Sequence, residues 1–216
     1  MRGPQRAFYN VCFRFHPEPC PLSLGPCSMN IILIGYRGSG KTSVGRELAR
    51  LLERPFFDSD RMVFAKTGKT VREIVEAGGW PAFREAEKAV IGELSALEQA
   101  VIALGGGAVM DPENVGALRE RGTFVWLRAE PETLARRIGG DEDGQAQRPA
   151  LTGVGTLEEI GRVLAERLPV YRTVADRVLD TDGRDPAGIA AEIAEAVTGE
   201  PVDHRPKKDG GRSHVR

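Results

Sequence analysis

Residues Gly35-Tyr36-Arg37-Gly38-Ser39-Gly40-Lys41-Thr42 form a complete G-x-x-x-x-G-K-[ST] phosphate loop. Such a loop admits few folds, because it needs a buried strand before it and a helix after it. The apolar run from Asn30 to Ile34 reads as that strand. Thr42 to Glu53 reads as the helix, with Val44, Leu48, Leu51 and Leu52 on one side. Glycine lets the backbone wrap an anion so that N–H groups and the helix N-terminus face it. Gly38, Ser39, Gly40 and Ser43 are the expected cradle, with Lys41 reaching the outer phosphates and the Thr42 hydroxyl ligating Mg²⁺. The expected ligand is a nucleoside triphosphate. The loop leaves the reaction open, since kinases, GTPase switches, motors and DNA-remodelling ATPases share it.

The rest of the composition narrows the chemistry. The 216 residues suit one domain, and 41% hydrophobic with 28% charged is ordinary globular composition. A net charge of -1 and a pI near 6.4 lack the basic surplus of a nucleic-acid protein, so a small-molecule partner is expected. No apolar run reaches the length of a membrane span, and the chain is expected in the aqueous cytoplasm as a monomer. Cys12, Cys20, Cys27 and His16 precede Met29, and His204 and His214 follow Gly199. Residues 29–199 therefore have no Cys nucleophile, His base, Cys/His zinc site or disulfide. Their chemistry falls to carboxylates, Lys, Arg, hydroxyls, backbone dipoles and a bound metal.

Residues 1–28 carry five prolines and four aromatics without periodicity and lack the order of parts of a signal peptide. They read as a disordered extension, with an upstream start unused by the cell as one explanation. A metal-binding tail is the alternative, although spacings 12, 20 and 27 fit no zinc template. Residues 200–216 read as a solvated tail. Between them, strands at 31–34, 56–58, 101–104, 123–127 and 177–179 alternate with helices at 42–52, 60–67, 71–77, 82–97, 112–120, 132–138, 157–174 and 186–197. Such alternation predicts an α/β fold of three layers, its sheet mostly or wholly parallel, with ligands beyond the carboxyl ends of the strands.

Several groups fall at those ends. Asp58 and Asp60 follow the second strand and, two apart, would share a face directed at the phosphate loop. One suits Mg²⁺ and the other a substrate hydroxyl; capping the next helix is the plainer role for Asp60. Gly105, Gly106 and Gly107 follow the third strand and read either as room for a substrate or as a flexible turn. Arg84 and Arg167 are carboxylate forks or helix-surface charges paired with Glu at i+3 or i+4. The polar stretch 139–149 reads as a mobile lid delivering Arg148 to the transferred group, or as a surface loop.

Taken in order, these motifs resemble the shikimate kinase family, of the nucleoside monophosphate kinase-like superfamily. The resemblance runs from about Ile31 to Val197. It rests on the phosphate loop, Phe57-Asp58-Ser59-Asp60, Phe83-Arg84-x-x-Glu87, Ala103-Leu104-Gly105-Gly106-Gly107, Arg148-Pro149-Ala150-Leu151 and Arg167-x-Pro169-x-Tyr171. It implies a kinase domain over 29–199 that transfers the ATP γ-phosphoryl group to the 3-hydroxyl of shikimate, a step of chorismate and aromatic amino acid biosynthesis. Lys41 and Thr42 would hold phosphates and Mg²⁺ with Asp58 supporting the metal. Asp60 would bind the reacting hydroxyl as base, and Arg84 and Arg167 would grip the shikimate carboxylate beside Gly105 to Gly107. Arg148 would be the lid arginine, and Arg137 and Arg184 would flank adenine.

Two departures stand out. Gly79-Trp80 replaces the Gly-Glu that often precedes the Phe-Arg pair, and the lid is a few residues longer than in many members. Two competing readings are a gluconate kinase reusing the same loop and lid, and a nucleotide-binding module without catalysis. A GTPase switch is disfavoured because no N-K-x-D guanine-reading segment occurs.

Overall fold

The computed structural model describes residues 29–140 and 157–199. The extension over 1–28, the stretch 141–156 with Arg148, and the tail over 200–216 lie outside the described residues. Five strands, β1 (Asn30–Ile34), β2 (Phe56–Asp58), β3 (Val101–Ala103), β4 (Gly122–Arg128) and β5 (Arg177–Asp180), form one sheet. Its order is β2-β3-β1-β4-β5, and every pairing is parallel. Among the described residues seven α-helices accompany them: α1 (Lys41–Leu51), α2 (Ser59–Thr67), α3 (Val71–Leu94), α4 (Pro112–Arg119), α5 (Pro131–Gly139), α6 (Leu157–Val174) and α7 (Pro186–Thr198).

Alternation along the central strand builds the three layers. All five residues of β1 are buried, as a strand covered on both faces requires. Ile31 and Leu33 pack with Val44 and Leu48 of α1 and Ile189 and Ile193 of α7. Ile32 and Ile34 face the other way, into a larger cluster with Val90 and Ile91 of α3, Leu118 of α4, Leu134 of α5 and Ile160 and Val163 of α6. A one-residue slip of β1 would exchange the two faces, so its register is strongly fixed. Because the strands are parallel, the loops after β1, β2, β3, β4 and β5 all emerge on one edge.

Three expectations shift in detail. Helix α1 starts one residue earlier, at Lys41, because Gly40 supplies its N-cap. The segments expected at 71–77 and 82–97 are the two helical halves of α3, separated as expected between 77 and 82 where Gly79 leaves helical geometry at φ 72, but the second half ends at Leu94 rather than at 97. Asp58 and Asp60 do not share a strand face. β2 stops at Asp58, and Asp60 lies in the first turn of α2.

Candidate active site

The phosphate loop turns directly out of β1 into α1. Gly40 caps the helix at φ 92 with no side chain on the first-turn N–H groups, which leaves those donors for an anion. The Lys41 ammonium donates to the carbonyls of Gly35 and Tyr36, both at 2.8 Å, and so spans the loop it belongs to. The Thr42 hydroxyl donates to Asp58 Oδ2 at 2.9 Å. Asp58 Oδ1 meanwhile accepts from the N–H groups of Asp60 and Arg61 at 3.1 and 3.4 Å. The cap expected of Asp60 is therefore made by Asp58, which joins the loop to α2.

A cavity of about 950 Å³ lies over this loop. Gly38, Ser39, Gly40, Lys41, Thr42, Ser43, Asp58, Asp60, Arg137 and Arg184 line it. Arg137 comes from α5 and donates to Gly38 O at 3.3 Å and to Thr181 Oγ1 and O at 3.0 and 2.6 Å. Arg184, in the loop after β5, donates to Asp180 O at 3.2 Å and pairs with Glu192. The two arginines thus flank the end of the cavity away from β2. The Ser39 hydroxyl is buried without a hydrogen-bond partner among the described residues.

A second, smaller pocket of about 60 Å³ adjoins the first and is lined by Tyr36, Trp80, Arg84, Glu87, Gly105, Gly106, Gly107 and Arg167. Asp60, Arg37 and Val71 line both. Arg84 pairs with Glu87 one helical turn on, as the i+3 spacing allows, but Glu87 is only 1% exposed, so this is no surface pair. Burial pushes the Glu87 carboxyl up from its ordinary value, while the Arg84 charge opposes the shift. Its Oε1 has no hydrogen-bond partner among the described residues.

The glycine triplet is explained by close approach. A Cβ on Gly107 would lie 2.3 Å from Arg84 Nη2, and one on Gly105 would lie 2.8 Å from Glu87 Oε1 and 2.9 Å from Asp60 Oδ1. Arg167 on α6 sits 5.5 Å from the Tyr36 ring centroid, within cation–π range. Tyr171, one turn further along, donates its hydroxyl to Gly106 O, and burial pushes its pKa up to about 12. Burial raises Tyr36 as well.

Every sequence-derived site residue within the described segments lines one of these two pockets. Tyr36, Trp80 and Glu87 carried no assigned role in the sequence. The i+3 spacing of Arg84 and Glu87 was a usable signal, and Trp80 stood out as a departure from the family pattern, whereas nothing marked Tyr36 beyond its place inside the phosphate loop.

The family model for shikimate kinase matches residues 37–198. The shikimate kinase of Syntrophus aciditrophicus is 45% identical over 172 residues, covering 76% of this chain and 88% of that protein. That of Symbiobacterium thermophilum is 46% identical over 169 residues, covering 78% and 96%. The solved structure of the Acinetobacter baumannii shikimate kinase in complex with shikimate superposes with a TM-score of 0.74 at 36% identity, covering 79% of this chain and 93% of that one. With the family model spanning most of its length and such relatives covered almost end to end, the chain belongs to the shikimate kinase family.

Proposed function

We propose that this chain transfers the γ-phosphoryl group of ATP to the 3-hydroxyl of shikimate, giving shikimate 3-phosphate and ADP. The observation that carries the reading is the position of Asp60, which lines both the phosphate-loop cavity and the arginine pocket. A group at that junction is where an acceptor hydroxyl must meet a donor phosphate. The larger cavity takes ATP, with its phosphates on Gly38 to Ser43 and adenine between Arg137 and Arg184. The smaller takes shikimate, its carboxylate on Arg84 and Arg167 beside Gly105 to Gly107. Membership of the shikimate kinase family supports this acceptor over gluconate.

The donor set fits Mg²⁺. Thr42 Oγ1 and Asp58 Oδ2 are hard oxygens held 2.9 Å apart at the loop, and this ion is usually bound through one or two protein oxygens plus phosphates. When bound, it neutralises charge on the phosphate oxygens. Asp60 accepts the proton of the acceptor hydroxyl as the new O–P bond forms, and the bond from the γ-phosphorus to the bridging oxygen breaks towards ADP. Lys41 and Arg148 balance the charge that spreads over the transferring oxygens, with little covalent chemistry asked of the protein.

Residues 29–199 form the kinase domain, and one copy supplies every group named among the described residues, which supports a monomer. Net charge -1 supports a role without nucleic acid, and no described helix is long and apolar enough to cross a membrane. The site of action we propose is the cytoplasm, where ATP is available as co-substrate.

The test is ADP formation from ATP with shikimate or gluconate as acceptor, by the full chain and by a version beginning at Met29. Shikimate-dependent release by both is expected. ATP binding without turnover on shikimate would overturn the reading.

A further inference from the structure

Arg84 is confined on several sides, and one of them is built by a residue the reaction itself does not require. The guanidinium is paired through Nη1 with Glu87, and its Nη2 lies where a Cβ on Gly107 would meet it at 2.3 Å. The cation sits over two aromatic rings, with Cζ 5.3 Å from the Phe83 centroid and 5.7 Å from that of Trp80. The two rings meet edge to face, 6.0 Å between centroids and 81° between planes, a favoured arrangement for an aromatic pair. Phe83 is a core residue, 4% exposed, whereas Trp80 is half-buried and lines the small pocket itself.

The backbone brings Trp80 there. Gly79 adopts φ 72, ψ -179 within α3, a conformation that strains a residue with a side chain, and the second half of α3 starts again from this point. Pro81 falls in the first turn of that restarted segment, where its missing N–H leaves no bond unmade. The kink therefore swings the indole back over Arg84 rather than letting it follow the first half of the helix.

The geometry points to Trp80 as a positioning residue that fixes the aim of Arg84 and thereby sets the affinity for the acceptor carboxylate. A guanidinium binds a carboxylate bidentately only when its plane is correctly turned, and a cation–π contact restricts that turn without occupying an N–H donor. Glu87 holds Nη1, and the aromatic wall keeps the remaining N–H groups directed at the pocket. This rests on the assignment of Arg84 to the shikimate carboxylate.

The test compares Trp80→Ala, Trp80→Phe, Arg84→Ala and the Trp80→Ala/Arg84→Ala pair in steady-state kinetics with both substrates. Trp80→Ala is expected to raise the KM for shikimate about tenfold, from loss of the cation–π wall, with the KM for ATP and kcat within about twofold. Trp80→Phe, which keeps an aromatic face, should recover most of that loss. In the pair, the loss in kcat/KM should not exceed that of Arg84→Ala alone, because Trp80 acts through Arg84. Losses that multiply in the pair, or a Trp80→Ala variant with unchanged shikimate KM while Arg84→Ala raises it, would overturn this inference alone. An Arg84→Ala variant with unchanged shikimate KM would overturn the assignment of Arg84 and this inference with it.

Discussion

Thr42 donates its hydroxyl to Asp58 Oδ2 at 2.9 Å, while Oδ1 of the same carboxylate caps α2 through the N–H groups of Asp60 and Arg61. One side chain thus fixes the phosphate loop, the start of α2 and the height of Asp60 over the cavity. Asp58→Asn separates these roles, because asparagine caps a helix about as well as aspartate but brings no negative charge to Thr42. We expect the half-saturating Mg²⁺ concentration to rise by about tenfold or more, as for lost supporting contacts at metal sites, with thermal stability nearly unchanged. Titrating turnover against Mg²⁺, beside a thermal melt, checks both halves.

Gly107 is where a methyl group should damage the acceptor site and spare the nucleotide site. In Gly107→Ala, the new Cβ would lie 2.3 Å from Arg84 Nη2, inside contact distance, so the guanidinium must move. Misaiming one charge-assisted fork costs about 1.5–3 kcal/mol, or roughly a ten- to hundredfold rise in the KM for shikimate. The KM for ATP should stay put, since Gly107 does not line the larger cavity. Kinetics with each substrate varied in turn separates the outcomes.

Much of this architecture was legible because its signals are local. The phosphate loop announces its own strand and helix, and the sheet follows from alternation of apolar runs with amphipathic ones. What sequence could not sort is which of Ile31, Ile32, Leu33 and Ile34 faces which layer. A strand buried on both sides has no polar face to mark the difference. The Asp58/Asp60 pair was placed on a strand because its length could not be read from three residues, and helix α2 began first. Glu87 looked like an ordinary surface partner for Arg84, and only the tertiary fold buries it. Trp80 needed the Gly79 kink, and although the break between 77 and 82 was legible, the direction in which it turns the indole was not.

Asn30 joins the central strand to the loop that leads into β3. Fully buried, it donates from Nδ2 to Leu97 O at 2.7 Å and accepts from Ala100 N at 2.9 Å. Asn30→Ala would leave the Ala100 N–H without its bond in the buried interior, whereas the carbonyl of half-buried Leu97 lies nearer the surface. A loss of about 1–3 kcal/mol in unfolding free energy is expected, the cost of one stranded buried group. Urea unfolding measures it. The acceptor KM, set at the far end of the strands, should not change in the protein that remains folded.

Glu87 ties stability to pH with a sign opposite to that of the exposed carboxylates. Its folded-state pKa lies above the ordinary 4.5, raised by burial and further by Asp111, while Arg84 and Arg167 pull it down. The fold therefore holds this proton at pH values where the unfolded chain has released it. Its contribution to stability is greatest below about 4.5 and is lost as pH rises through the folded-state pKa. Glu73 and Asp180 are shifted the other way, by bonds from Thr70 and Arg128 respectively, so their contribution is complete above the ordinary carboxylate pKa and is lost as pH falls below it, on the acid side of the range where that of Glu87 declines. Glu87→Gln removes the titration and keeps the shape. Compared at pH 4 and pH 7, the wild type should lose stability relative to Glu87→Gln as pH rises, measured by urea unfolding at each pH. Parallel pH profiles for the two proteins would show that the buried carboxyl is not titrating differently in the fold. At neutral pH the variant should also show a raised KM for shikimate, because Arg84 loses the acid that holds its Nη1 in place.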